Sequence, residues 1–139
     1  MKFENALQNE LVKKVSVDKL RAKSLLKASQ QAILTASKIP KTESTFKSIV
    51  RELYEGLRQC CEAIGFIKGY KFNSHDCIAA FLKEILAEDT TANKFDRYRK
   101  LRNGINYYGD DVSKETVNEA LIEIPKLTRE LTKYCGELK

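Results

Sequence analysis

The chain has 139 residues, 42% of them hydrophobic and 32% charged, with a net charge of +6. That composition excludes a disordered or membrane-embedded polypeptide and suits one domain, residues 1–139, built around a single core. No apolar run is long enough for a bilayer, and the start MKFENALQNELVKK lacks the segments of a signal peptide, so a cytoplasmic location is expected.

Apolar residues recur at spacings of three and four, and no stretch alternates long enough to make a strand. The expected fold is therefore all-α, an antiparallel up-and-down bundle of four to five helices joined by short connections. Phe3 to Lys14 offers a short amphipathic face through Phe3, Ala6, Leu7 and Leu11. Asp18 or Ser16 caps a helix running to about Lys38, which the following Ile-Pro stops because proline disfavours helix in the residue before it. A long helix follows from a Thr42 or Ser44 cap, with a wide apolar stripe from Phe46 to Ile67 and Gly69 ending it. GYKFNSHDC reads as a loop, with Asn73 or Ser74 capping a helix whose apolar face is Ile78, Phe81, Leu82 and Ile85. After the turn DTTAN, a fourth helix spans about Ala92 to Tyr108 and stops at Gly109. The fifth runs from a Ser113 cap to Tyr134, with Pro125 expected to bend it.

The cysteines at 60, 61, 77 and 135 do not follow a metal-ligand spacing, so reduced, buried thiols and no metal site are expected. Positive charge collects in two places. Residues 1–41 carry nine basic and three acidic side chains, and residues 94–109 carry five and one. Either segment suits phosphate. Alternatively, the stripe Lys19, Lys23 and Lys27 faces Glu115, Glu119 and Glu123 within the same molecule.

RYRKLRNGINYYG, residues 97–109, concentrates polar chemistry on the fourth helix. Helical spacing puts Tyr98, Leu101, Ile105 and Tyr108 on the core side. Phe95, Arg99, Arg102 and Asn106 lie about a quarter turn away, and Asn103 precedes Tyr107 by one turn on the outer surface. Arginines fork onto phosphate oxygens, asparagines read a base edge or ribose hydroxyl, and tyrosine offers a stacking ring. None of these side chains titrates near neutral pH unaided, which favours binding over catalysis. The competing expectation is a solvated face whose arginines pair with nearby carboxylates.

RELYEGLRQCCEAIGFIKGYKFNSHDC (51–77) together with RKLRNGINYYG (99–109) resembles the HEPN superfamily, the higher eukaryote and prokaryote nucleotide-binding domains, especially small archaeal members. The resemblance implies a helical bundle, a homodimer with the polar motifs facing across a cleft, and a toxin–antitoxin or nucleotidyltransferase-linked setting. The family's active motif is an arginine, often followed by a polar residue, with a histidine after four to six intervening residues. Arg102 matches the arginine and Asn103 the polar residue, whereas the histidine slot falls on Tyr107, Tyr108 or Gly109. His75, the only histidine, precedes the third helix and is expected to hydrogen-bond locally.

The resulting expectation is RNA or nucleotide phosphate held by Arg99 and Arg102, positioned by Asn103 and Asn106, with Tyr107 stacking or acting as a weak acid. No cofactor is called for. The alternatives are a metal-independent ribonuclease using Arg102 with Tyr107, and a non-catalytic protein-interaction module.

Overall fold

The computed structural model describes residues 1–138. Its elements in order are α1 (Phe3–Gln8), β1 (Val12–Lys14), α2 (Lys19–Lys38), α3 (Phe46–Lys68), β2 (Tyr70–Phe72), a 3-10 turn (His75–Cys77), α4 (Ile78–Glu84), α5 (Asp89–Tyr108), α6 (Lys114–Leu131) and a 3-10 segment (Thr132–Leu138). The all-α bundle is the architecture observed. No described helix is long and apolar enough to cross a membrane.

The apolar stripe of α3 makes it the central helix: Ile49, Val50, Leu53, Tyr54, Leu57, Cys60, Cys61 and Ile64 are all buried. Cross-helix contacts fix its neighbours' directions. Asp18 N donates to Phe66 O and Ser29 Oγ to Gly56 O, so α2 runs antiparallel to α3. Arg51 meets Asn106 while Tyr54 meets Phe95, so α5 is antiparallel as well. Lys94 pairs with Glu123 and Arg97 with Glu119, which sets α6 antiparallel to α5. At Gly56 the backbones of α2 and α3 come close enough that an added Cβ would lie 2.7 Å from Ile33 Cγ1.

Several boundaries match: Asp18 caps α2 by accepting from Arg21 N at 3.0 Å, and Gly69 (φ 84) and Gly109 (φ 67) end α3 and α5 in the left-handed conformation. Others need correction. The first helix stops at Gln8, the chain reverses at Glu10 (φ 58), and Val12–Lys14 pairs antiparallel with Tyr70–Phe72, within the stretch read as a loop. Three-residue strands are too short to register as alternation, but their pairing lets Val12 and Phe72 bury together.

Thr45 holds the N-cap position of α3, but its hydroxyl makes no capping bond: it accepts from Thr42 N and donates to Thr42 O. The DTTAN residues Asp89 to Asn93 form the first turn of α5. Because α4 ends at Glu84, Ile85 turns to solvent and Leu86 takes the buried place. Helix α6 contains Pro125 as expected, but gives way to 3-10 geometry at Thr132, before Tyr134. The alternative pairing of the Lys19, Lys23, Lys27 stripe with the acidic stripe is not found among the described residues, where Glu119 and Glu123 meet Arg97 and Lys94 of α5. All four cysteines are buried.

Candidate functional site

Helix α5 decides the site, and its rotation differs from the expectation. Phe95, Tyr98 and Ile105 are buried, whereas Tyr108, expected in the core, is 81% exposed at the helix end. Bringing Phe95 inward turns Arg99 and Arg102 off the outer surface and into half-buried positions against neighbouring elements. The two arginines do not form one clamp. Arg99 is held by Asp76 and Asp96, each at 2.8 Å, so its charge is already matched.

Arg102 lines a different hollow, a cleft of about 520 Å3 between α3 and α5 formed with Arg51, Glu52, Tyr54, Glu55, Arg58, His75 and Asn106. Its guanidinium lies over the Tyr54 ring, 4.9 Å from the centroid, and Nη2 donates to His75 Nδ1 at 2.8 Å. Arg102 Nε is buried and meets no acceptor among the described residues. An arginine can only donate, so His75 Nδ1 must accept and the ring proton resides on Nε2. The Tyr54 hydroxyl lies 3.2 Å from the same Nδ1.

The histidine reaches this cleft through long-range pairing. Asn73 N and Ser74 N both donate to Leu11 O just before β1, which folds the chain back; Ser74 then caps the 3-10 turn by accepting from Asp76 N. Cys77 Sγ donates to Ser74 O at 3.0 Å and Asp76 is anchored by Arg99, fixing the turn from both sides. On α3, Arg51, Glu55, Arg58 and Glu62 form a polar stripe at helical spacing, a signal present in the sequence that the apolar stripe overshadowed. Arg58 is bound by both Glu55 and Glu62, and Arg51 Nε donates to Asn106 Oδ1 at 2.7 Å.

Electrostatics move the two protic groups in opposite directions. Burial, reinforced by the Arg58 and Arg102 charges, pulls His75 down to about 4. Burial pushes the Tyr54 hydroxyl up to about 12, against the opposing effect of Arg102. At neutral pH His75 is therefore a neutral donor through Nε2, and Tyr54 stays protonated. Of the cleft's guanidiniums Arg58 is matched by Glu55 and Glu62, whereas Arg102 has no ion pair among the described residues and is the one suited to an added anionic group.

Of the residues singled out in the sequence, Arg102 and Asn106 meet in the cleft. Asn103 is half-buried outside its lining, and Tyr107 is 69% exposed beyond it. Sequence reasoning missed His75, Tyr54, Arg51 and Arg58. A larger hollow of about 860 Å3 lies between the α2–α3 and α5–α6 connections, but Lys47 there is occupied by Asp111 and Gly109 O, and Lys41 by Asn118. Comparison of the chain with protein-family models, curated proteins and solved structures gives no match.

Proposed function

We propose that the α3–α5 cleft binds a phosphate group of RNA or of a nucleotide, in a HEPN-like protein acting as a homodimer within a toxin–antitoxin or nucleotidyltransferase-linked system. One observation carries the binding reading. Arg58, Arg97 and Arg99 are each engaged by two carboxylates, whereas Arg102 has no ion pair among the described residues and rests only on a neutral imidazole and an aromatic face. Keeping a partly buried cation without a counterion is costly, and a phosphate oxygen would supply the missing charge and an acceptor for its unsatisfied donors. His75 Nε2–H adds a neutral donor, and Arg51 with Asn106 forms the rim.

Calorimetric titration with a nucleoside monophosphate and a short oligoribonucleotide tests this. The wild-type chain is expected to bind at low salt, and Arg102→Gln to lose about tenfold or more in affinity, the loss of one charge-assisted contact. Equal affinity in the two proteins would overturn the assignment.

The contact between Arg102 and His75 favours a second reading, a ribonuclease in which His75 fills the role that spacing had left to Tyr107. Against it, Arg102 occupies Nδ1 and the remaining nitrogen already carries its proton, so no free lone pair faces the cleft. Cleavage of labelled RNA that is abolished in both Arg102→Gln and His75→Asn would establish that reading. Absence of any anion binding would leave the protein-interaction role.

A further inference from the structure

The outer face of the β1–β2 ribbon carries cations that the fold leaves unneutralised. Val12 pairs with Phe72 and both are buried, while the next pair, Lys13 opposite Lys71, lies on the other face in solvent. Directly opposed residues of an antiparallel pair have Cβ atoms roughly 5 Å apart, so like charges there repel and weaken the ribbon. Lys14 follows Lys13, and Lys68 ends the helix leading into β2; both are exposed. Among the described residues, none of these four lysines has an ion pair or a side-chain hydrogen bond. The α5–α6 side behaves differently: Lys94, Arg97, Arg99 and Lys100 all meet carboxylates.

Backbone bonds nevertheless tie the ribbon beyond both ends. Val15 N donates to Gly69 O beyond one end, and Asn73 N donates to Leu11 O beyond the other. The same strand then enters the turn that brings His75 to the cleft. Lys71 is four residues before His75, so at most about 14 Å of chain separates their backbones.

We infer that this ribbon is a second anion-contacting surface, in which Lys13 and Lys71 hold the backbone of a single-stranded nucleic acid beyond the phosphate seated in the cleft. The inference rests on the cleft reading for the seated phosphate, but the ribbon's own contacts do not involve Arg102. A flexible strand reaches both places, whereas a duplex is too broad to enter a cleft of this size. With lysines and no exposed aromatic ring on the ribbon, the contact is to phosphates and is indifferent to base identity.

The test pairs two probes with two variants of the full chain. Affinities for adenosine 5′-monophosphate and for an oligoribonucleotide of about a dozen nucleotides, long enough to span both places, are measured across a range of salt concentrations. Lys13→Gln/Lys71→Gln is expected to leave mononucleotide binding unchanged and to reduce the magnitude of the oligonucleotide's log–log salt slope by about 1.4, roughly 0.7 per lost contact. Arg102→Gln is expected to weaken both probes. An oligonucleotide slope unchanged in the ribbon variant overturns the inference.

If the slope falls in the ribbon variant while Arg102→Gln has no effect on either probe, the ribbon surface stands and the cleft reading fails. Lysines also guard strand edges against self-pairing. Self-association of the ribbon variant in sedimentation, with oligonucleotide affinity intact, would assign them that role and overturn the inference. Preferential binding of polyglutamate over the oligonucleotide would point to an acidic protein partner and do the same.

Discussion

His75→Asn isolates the electrostatic cost of burying an imidazole against the Arg102 guanidinium and near that of Arg58. In the folded chain burial, Arg58 and Arg102 hold His75 near 4, against an ordinary value near 6.5 in the unfolded chain. Between these values the unfolded state binds more protons, so stability is greatest above pH 6.5 and is lost as pH falls toward 4. From pH 7 to pH 5 the full shift corresponds to about 2 kcal/mol, and because the ring is only half-buried, solvent screening reduces this to about 1 kcal/mol. Asparagine keeps an acceptor for Arg102 without titrating, so the variant lacks this loss. Groups such as Asp96 and Glu88, whose carboxyls are held low by Arg99 and Lys133 despite some burial, titrate in both proteins and cancel in the difference. Denaturant unfolding at pH 7, 6 and 5 gives the comparison, and the single histidine gives one NMR titration to follow directly. Parallel pH profiles, or a histidine titrating near 6.5, would refute the placement of His75 beneath Arg102.

Arg99→Gln is expected to cost about 1 kcal/mol, since it frees Asp76 and leaves Asp96 to Lys100 alone, and to shift the His75 resonance because the turn loses its anchor; an unmoved resonance would show that Arg99 does not hold the turn. Gly56→Ala forces a Cβ against Ile33 and to 3.1 Å from Ser29 O, so overpacking outweighs the gain in helix propensity and lowers stability by about 1 kcal/mol in chemical unfolding. Tyr98→Phe deletes the bond from a buried hydroxyl to Glu123 Oε1 (2.5 Å) while Lys94 and Arg97 continue to satisfy that carboxylate, a loss of about 1 kcal/mol readable as a lowered Tm.

The helices were legible because their signals are local. The α3 stripe is continuous over six turns, and Asp18, Gly69 and Gly109 act through geometry within a few residues. Strands β1 and β2 were not, since three residues each give no periodicity and the pairing joins segments nearly sixty residues apart. That same pairing carries His75 to Arg102, so the heart of the candidate site depended on the one element the sequence did not announce. The face of α5 was misjudged for a related reason. Spacing alone allowed Tyr108 or Phe95 to complete the core stripe; Tyr108 lies in the last turn with nothing packed over it, while Phe95 meets Tyr54 at 5.7 Å between ring centroids.

Three arginines of α5 thus meet three different fates within two turns. Arg97 faces α6 and its two glutamates, Arg99 faces the 75–77 turn and its own Asp96, and Arg102 faces α3, where Arg58 has already taken both Glu55 and Glu62. A sequence selected for stability alone has no use for a charge at that last position: an apolar side chain of similar volume would pack on Tyr54 without desolvation cost. Arg102→Met is therefore expected to leave Tm unchanged or raise stability by up to about 1 kcal/mol, since the lost cation–π contact is offset by relief of an unpaired charge. The same variant loses anion binding in the titrations above. A fall of more than about 2 kcal/mol would instead mean that the His75 and Tyr54 contacts make Arg102 a structural residue. The argument for a ligand would then lose its footing.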